Sequence, residues 1–387
     1  MAASSRSVTM PQNWSPSFTS TEETPCSDIR RAASAIEVAG VTYSSATFCF
    51  PYDEAAVATA GLAKEQLKVW HRPAGSPRWV DATTSHDAAA TRVCGLDSVS
   101  EVVIAGVSGT PLGHARYLAE GASTGFFDTT IALVNPSPVA TADTILKLQR
   151  SDSTVRLRYV AVPPLGRRTV AVKDVPGMGD AQFSTVIEST EPLVADRTMS
   201  WDARGYGAHA ETSVEAPAST WYLAEGATHS GFNLFYLIQN PHPTDTARVR
   251  VRYLLPHGAP LERVHHVPPH SRYNVWVNHE QIPEGSGQEP LASTDVSAVL
   301  ESLDDVKIIV ERAMYLDRRG QFFAAGHESA GVTAPALQWF LAEGATGPFF
   351  DLFILVANPT DADADVEATY LEPDGQIVVR NYEVVAN

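Results

Sequence analysis

The chain is 387 residues long, more than one domain usually needs and suited to two to four. Its 44% hydrophobic content is ordinary for globular proteins, and it contains no run of 18 apolar residues that a membrane-spanning helix would require. A net charge of −17 and a pI near 5.1, with only scattered lysines (Lys64, Lys68, Lys147, Lys173, Lys307), argue against nucleic acid or an anionic membrane surface as partner.

Residues 1–35 read as a disordered polar lead-in: the stretch is Ser/Thr-rich and lacks the apolar core of a secretory signal. Residues 36–107 read as a partial β domain. Its runs "ATFCFPYD" and "TRVCGLD" are strand-like and bring Cys49 and Cys94 into one segment. These two either pair across a sheet or remain small buried thiols, with Cys26 left over in the lead-in. Glu54–Trp70, "EAAVATAGLAKEQLKVW", is the one place where a short helix is expected.

From residue 116 onward the chain repeats itself. "RYLAEGASTGFFDTTIALVNP" begins at Arg116, "WYLAEGATHSGFNLFYLIQNP" at Trp221 and "WFLAEGATGPFFDLFILVANP" at Trp339. Glu120 and Asn135, Glu225 and Asn240, and Glu343 and Asn358 are each 15 positions apart. The glutamates recur at intervals of 105 and 118 residues, too long for solenoid or propeller units and about the size of a β-sandwich domain. Within a copy, "ARVRVRYLL" alternates apolar and charged residues with the period of a half-buried strand, and turn residues punctuate six or seven such runs. The expectation is therefore an all-β chain of tandem immunoglobulin-like antiparallel β-sandwich domains. Repeat 1 would cover 108–215, repeat 2 would cover 216–334, and 335–387 would be a truncated repeat 3.

The recurring "W-Y/F-L-A-E-G-A-T…F-D/N…N-P" segment resembles a repeat of large secreted or cell-surface bacterial proteins, usually in tandem and generally without assigned function. The resemblance covers residues 116–387. It implies an extracellular immunoglobulin-like array and supplies no catalytic residue. With no signal segment in view, it also implies that the sequence is a fragment of something longer.

Several residues are candidates for a site. Glu120, Gly121 and Asn135, Glu225, Gly226 and Asn240, and Glu343, Gly344 and Asn358 recur, so they read as what the fold needs: glycine for a positive-φ turn, and glutamate to pair with a later arginine such as Arg197 or Arg312. "HHVPPH" (His265, His266, His270) places adjacent histidines on opposite faces of a strand. His209 with Glu211, and His327 with Glu328, lack zincin spacing and read as polar residues near linkers. Asp361, Asp363 and Asp365 with Glu372 mimic calcium-loop spacing, but Val366 stands where the loop needs glycine. Neither "AGVSGT" nor "GMGDAQ" completes a nucleophile elbow or a dinucleotide fingerprint. Trp221, Trp276 and Trp339, with Tyr273, Phe232 and Tyr236, are the candidate sugar-stacking aromatics.

The expected function is a non-enzymatic spacer, display or adhesion array, with neither cofactor nor dedicated metal and at most weak cation binding at its acidic surface. The alternative is a polysaccharide-binding array of a secreted enzyme system, and the partner would accordingly be a polysaccharide or another surface protein.

Overall fold

The computed structural model describes residues 29–30, 35–37, 46–51, 67–73, 80–87, 92–97, 100–107, 113–202, 207–318 and 320–386. Among them the chain is all-β, with two short 3-10 turns and no α-helix. Among the described residues, no helix is long and apolar enough to cross a membrane.

The first segment supplies β1 (Ile29–Arg30), β2 (Ala35–Glu37), β3 (Ala46–Pro51), β4 (Leu67–Pro73), β5 (Val80–Asp81), β6 (Thr83–Asp87), β7 (Arg92–Asp97) and β8 (Ser100–Val107). Most of residues 1–35 lie outside the described residues; within that stretch Ile29 and Arg30 pair with Val107 and Gly106. Most of the expected helix lies outside the described residues, but its last four, 67–70, open β4 and pair with β8. Val69 and Leu67 are buried while Lys68 between them is less so, a period of two that favours the strand. Cys94 is disulfide-bonded and faces Cys49 in the register of β3 against β7.

Repeat 1 contributes β9 (His114–Leu118), β10 (Ala122–Ser123), β11 (Phe127–Val134), β12 (Ala142–Arg150), β13 (Val155–Val162), β14 (Arg167–Ala171), β15 (Ala181–Ser189), β16 (Val194–Trp201) and β17 (Gly207–Thr212). β13–β12–β15 join β9 and β10 in one sheet, whose far edge continues through β5 into the first segment. The second sheet has the order β14–β11–β16–β17. Alternate residues of both sheets, among them Ile131, Leu133, Leu146, Leu148, Val160 and Phe183, close one apolar core.

Repeat 2 repeats this plan with β18 (Thr220–Leu223), β19 (Phe232–Asn240), β20 (Ala247–Leu254), β21 (Leu261–Val267), β22 (Ser271–Trp276), β23 (Ser297–Ser302), β24 (Ile309–Arg318) and β25 (Gln321–Ala330). Its sheets are β18–β23–β20–β21 and β22–β19–β24–β25. Trp221, Leu234, Tyr236, Val251 and Leu300 are buried between them. The last segment forms the hairpin of β26 (Ala364–Leu371) and β27 (Ile377–Val384). Before it, Leu337, Phe340, Phe349 and Phe353 are exposed.

The recurring asparagines share one structural use. Asn135 Nδ2 donates to the carbonyls of Ala140 (2.8 Å) and Val162 (2.9 Å), while its Oδ1 accepts from Ser137 N. Asn240 does the same with Asp245, Val267 and His242, and Asn358 with Ala362, Val384 and Thr360. The asparagine thus closes its own turn and ties it to a strand about 27 residues later. The motif glycine is a correction: neither Gly121 nor Gly226 has a positive φ. A Cβ on Gly121 would lie 2.5 Å from the Phe183 ring, and one on Gly226 would lie 2.4 Å from the Val296 carbonyl oxygen. Close approach of the turn to its own core, and not turn conformation, excludes a side chain there.

Asn240→Ala strips the buried Val267 carbonyl and the part-buried Asp245 carbonyl of their donor and is expected to cost about 1–3 kcal/mol. Gly121→Ala forces a shift of Phe183 and is expected to cost a similar 1–3 kcal/mol by overpacking. Urea unfolding of each variant against the parent chain measures both.

Candidate functional site

The densest set of buried ionisable groups lies where repeat 2 meets repeat 1. β24 alternates its side chains: Arg312 points into repeat 2, while Glu311, Ala313 and Tyr315 point out of it. That outer face would be solvated in an isolated repeat, yet Ile309–Tyr315 is buried throughout, because repeat 1 covers it.

Glu311 enters the turn of repeat 1. Its Oε1 accepts from Ala119 N at 2.9 Å, and its Oε2 accepts from Glu120 N and from Arg197 Nη1, both at 2.8 Å. Arg197 Nη1 also donates to the Glu120 carbonyl at 2.8 Å. Its Nη2 contacts Glu328 of β25 and lies 3.6 Å from Glu120 Oε2. Tyr315 donates its hydroxyl to Glu120 Oε1 at 3.2 Å, and His209 Nε2 lies 3.1 Å from that hydroxyl. Every one of these side chains is at least nine-tenths buried. Further out, Gln239 Nε2 donates to Gln149 Oε1 (3.0 Å) and Arg272 Nη1 to Gln182 Oε1 (2.7 Å). An aromatic layer seals the other side. Trp201 meets Tyr315 edge-on at 5.2 Å, donates its indole N–H to the Phe323 carbonyl, and is flanked by Phe127.

Burial shapes the electrostatics. It acts to lower the Arg197 pKa, but the carboxylates of Glu311 and Glu120 more than offset this and hold the guanidinium above its ordinary value. Burial, reinforced by the Glu120 charge, raises the Tyr315 hydroxyl well above 10. Burial and then the neighbouring Arg197 charge push His209 down to about 3, so it is a neutral hydrogen-bonding ring at ordinary pH. Glu120, His209 and Glu328 place three donor atoms within 4.8 Å of one another, a spacing compatible with a metal ion. Arg197 stands among the same atoms and supplies the positive charge.

This placement corrects two expectations. His209 and Glu328 are not polar residues beside linkers but parts of the buried junction. Trp221 is only 2% exposed and donates to the Ile308 carbonyl, so it offers no stacking face. Tyr236 is buried as well. Trp276 is 38% exposed and packs on Phe235 and His279; its repeat-1 counterpart at the 105-residue spacing is Ala171. Trp339 is exposed in the unpaired stretch before β26.

The other candidates stay dispersed. His265 is buried beside Tyr273 and Glu280 while His266 is exposed, as their alternation requires. His270 approaches Gln149 instead. Asp361, Asp363 and Asp365 are exposed, and Asp363 accepts from Ala386 N. Repeat 2 rebuilds the motif pair: Arg312 Nη2 is 2.8 Å from Glu225 Oε2, and Arg312 Nη1 donates to the Glu225 carbonyl at 3.2 Å. Sequence reasoning reached these Glu–Arg pairs, but it missed Glu311. The available signal was a charged residue directly beside Arg312 and flanked by the apolar positions Ile309, Val310, Ala313 and Met314.

No protein-family model matches the chain, and no curated protein matches it. Among solved structures, the crystal structure of Thermotoga maritima 1070 aligns with 30% of this chain and 96% of its own, at 14% identity and a TM-score of 0.24.

Arg197→Met leaves three buried carboxylates without their cation and is expected to cost about 3–5 kcal/mol. His209 has its folded pKa below the unfolded value of 6.5, so the unfolded chain binds the extra proton. Its contribution to stability is present above pH 6.5 and is lost as the pH falls from there toward about 3. The slope reaches at most about 1.4 kcal/mol per pH unit. Denaturant midpoints between pH 4 and 8 should therefore fall with acidity, and His209→Gln should flatten that fall.

Proposed function

We propose that this chain is part of a non-enzymatic array of tandem immunoglobulin-like sandwiches that holds its units in a set arrangement outside the cell, as a spacer or display element. The carrying observation is the junction itself: motif residues Glu120 and Arg197 of repeat 1 bind Glu311 of repeat 2 in a fully buried ionic group. Domains meant to swing freely meet through small polar contacts, whereas this junction is apolar, aromatic and charge-matched. The sandwich reading is supported by strand order. In β14–β11–β16–β17 and β18–β23–β20–β21 the chain crosses repeatedly between paired sheets, whereas a propeller blade would run as a sequential meander. The acidic surface suits a soluble, extended array with no nucleic-acid partner.

Nitroxide labels at Val139→Cys and Ala259→Cys, in a Cys26→Ser background, report the placement of one repeat against the other. A rigid array gives one narrow distance distribution by double electron–electron resonance, and Glu311→Gln broadens it. A broad distribution in the parent chain would remove the basis for the spacer reading.

A further inference from the structure

The two copies of the motif differ in what covers them. In repeat 1, Ala119 is buried and the Glu120 side chain is 4% exposed, because the outer face of β24–β25 lies over them. In repeat 2, Ala224 is exposed, and the side chains of Glu225 and His327 are 30% and 46% exposed. Yet the receiving half is already assembled. Arg312 bridges the Glu225 carboxylate and carbonyl as Arg197 bridges those of Glu120, and His327 lies 3.5 Å from Glu225 where His209 lies 3.6 Å from Glu120. Among the described residues, no carboxylate from another repeat comes within ion-pair distance of Arg312, although Glu211 of repeat 1 acts on it from farther away.

We propose that this open end of repeat 2 is a docking face for the outer surface of another β-repeat. That repeat would present a strand glutamate to the Ala224–Glu225 turn and Arg312, as Glu311 is presented to Ala119, Glu120 and Arg197. The partner chemistry is specific. It is a carboxylate on a sheet face flanked by small and aromatic residues, in the manner of Glu311, Ala313 and Tyr315. Burial lowers the Arg312 pKa although Glu225 and, further off, Glu211 act to raise it, so a carboxylate in direct contact would relieve a partly desolvated cation. Residues 335–387 do not bring such a strand, for at the 118-residue spacing Asn387 falls opposite Pro269, before the counterparts of β22–β25. The inference rests on the tandem-array reading, but it can fail while the junction between repeats 1 and 2 stays rigid.

The test joins residues 270–334 to Asn387, which supplies counterparts of β22–β25 and a second Glu311. Amide hydrogen exchange at Ala224 and Glu225 should slow by about a hundredfold relative to the parent chain, and Glu311→Gln in the grafted copy should restore it. A graft that folds, shown by a blue-shifted Trp339 fluorescence, yet leaves those two amides unprotected overturns the proposal. The parent chain provides a second arm that needs no graft. Titrated with acetate against equal chloride, it should shift the Ala224 and Glu225 amide resonances together with Arg312 Nε–H. Absence of any such shift overturns the carboxylate socket.

Discussion

The carboxylate of Glu311 is the group on which the arrangement of the two repeats depends. It has no exposed surface, and it is held by two main-chain N–H groups and a guanidinium that all belong to the other repeat. A buried charge is tolerated only when its partners are in place. Separation of the repeats by even a few ångströms would leave an unpaired carboxylate, an unpaired Arg197 and a half-buried aromatic layer. The apolar contacts supply most of the attraction, and the ionic group selects one geometry among those they permit.

That group also explains why the Leu-Ala-Glu-Gly turn recurs. The turn must do three things in one short stretch: pass close to the core at glycine, turn its glutamate back toward an inward-facing arginine, and present two adjacent N–H groups at the open end of its repeat. Fifteen residues later the asparagine fastens the other end of the same strand. On the array reading proposed above, such a motif would serve stacking as much as folding. Nearest-neighbour contact is also how repeat arrays acquire stiffness without long-range contacts.

Much of the fold was legible in the residues, since β periodicity and turn chemistry are local properties. "ARVRVRYLL" reads as a strand because its neighbours along the chain are enough to show it, and β20 spans Ala247–Leu254. The helix expected over Glu54–Trp70 went astray at 67–70, where pairing with β8 outweighs a weak helical pattern. In sequence, Trp221 resembles Trp276 as a stacking surface. Aromatic residues in strands look alike in sequence, and only the sheet facing them decides which is buried.

The sequence by itself determined that the chain is β-rich, that one unit recurs at 105 and 118 residues, and that each copy carries the same Glu, Gly and Asn. Spacing and alternation carry that information because they depend on backbone geometry alone. Only the tertiary structure decided that Glu311 leaves its own repeat, that His209 and Glu328 are buried beside Arg197, and that the glycine yields to a core ring instead of a positive φ. Those outcomes turn on which surfaces meet across nearly 200 residues, as Ala119 and Glu311 do, and no local pattern encodes the identity of so distant a neighbour.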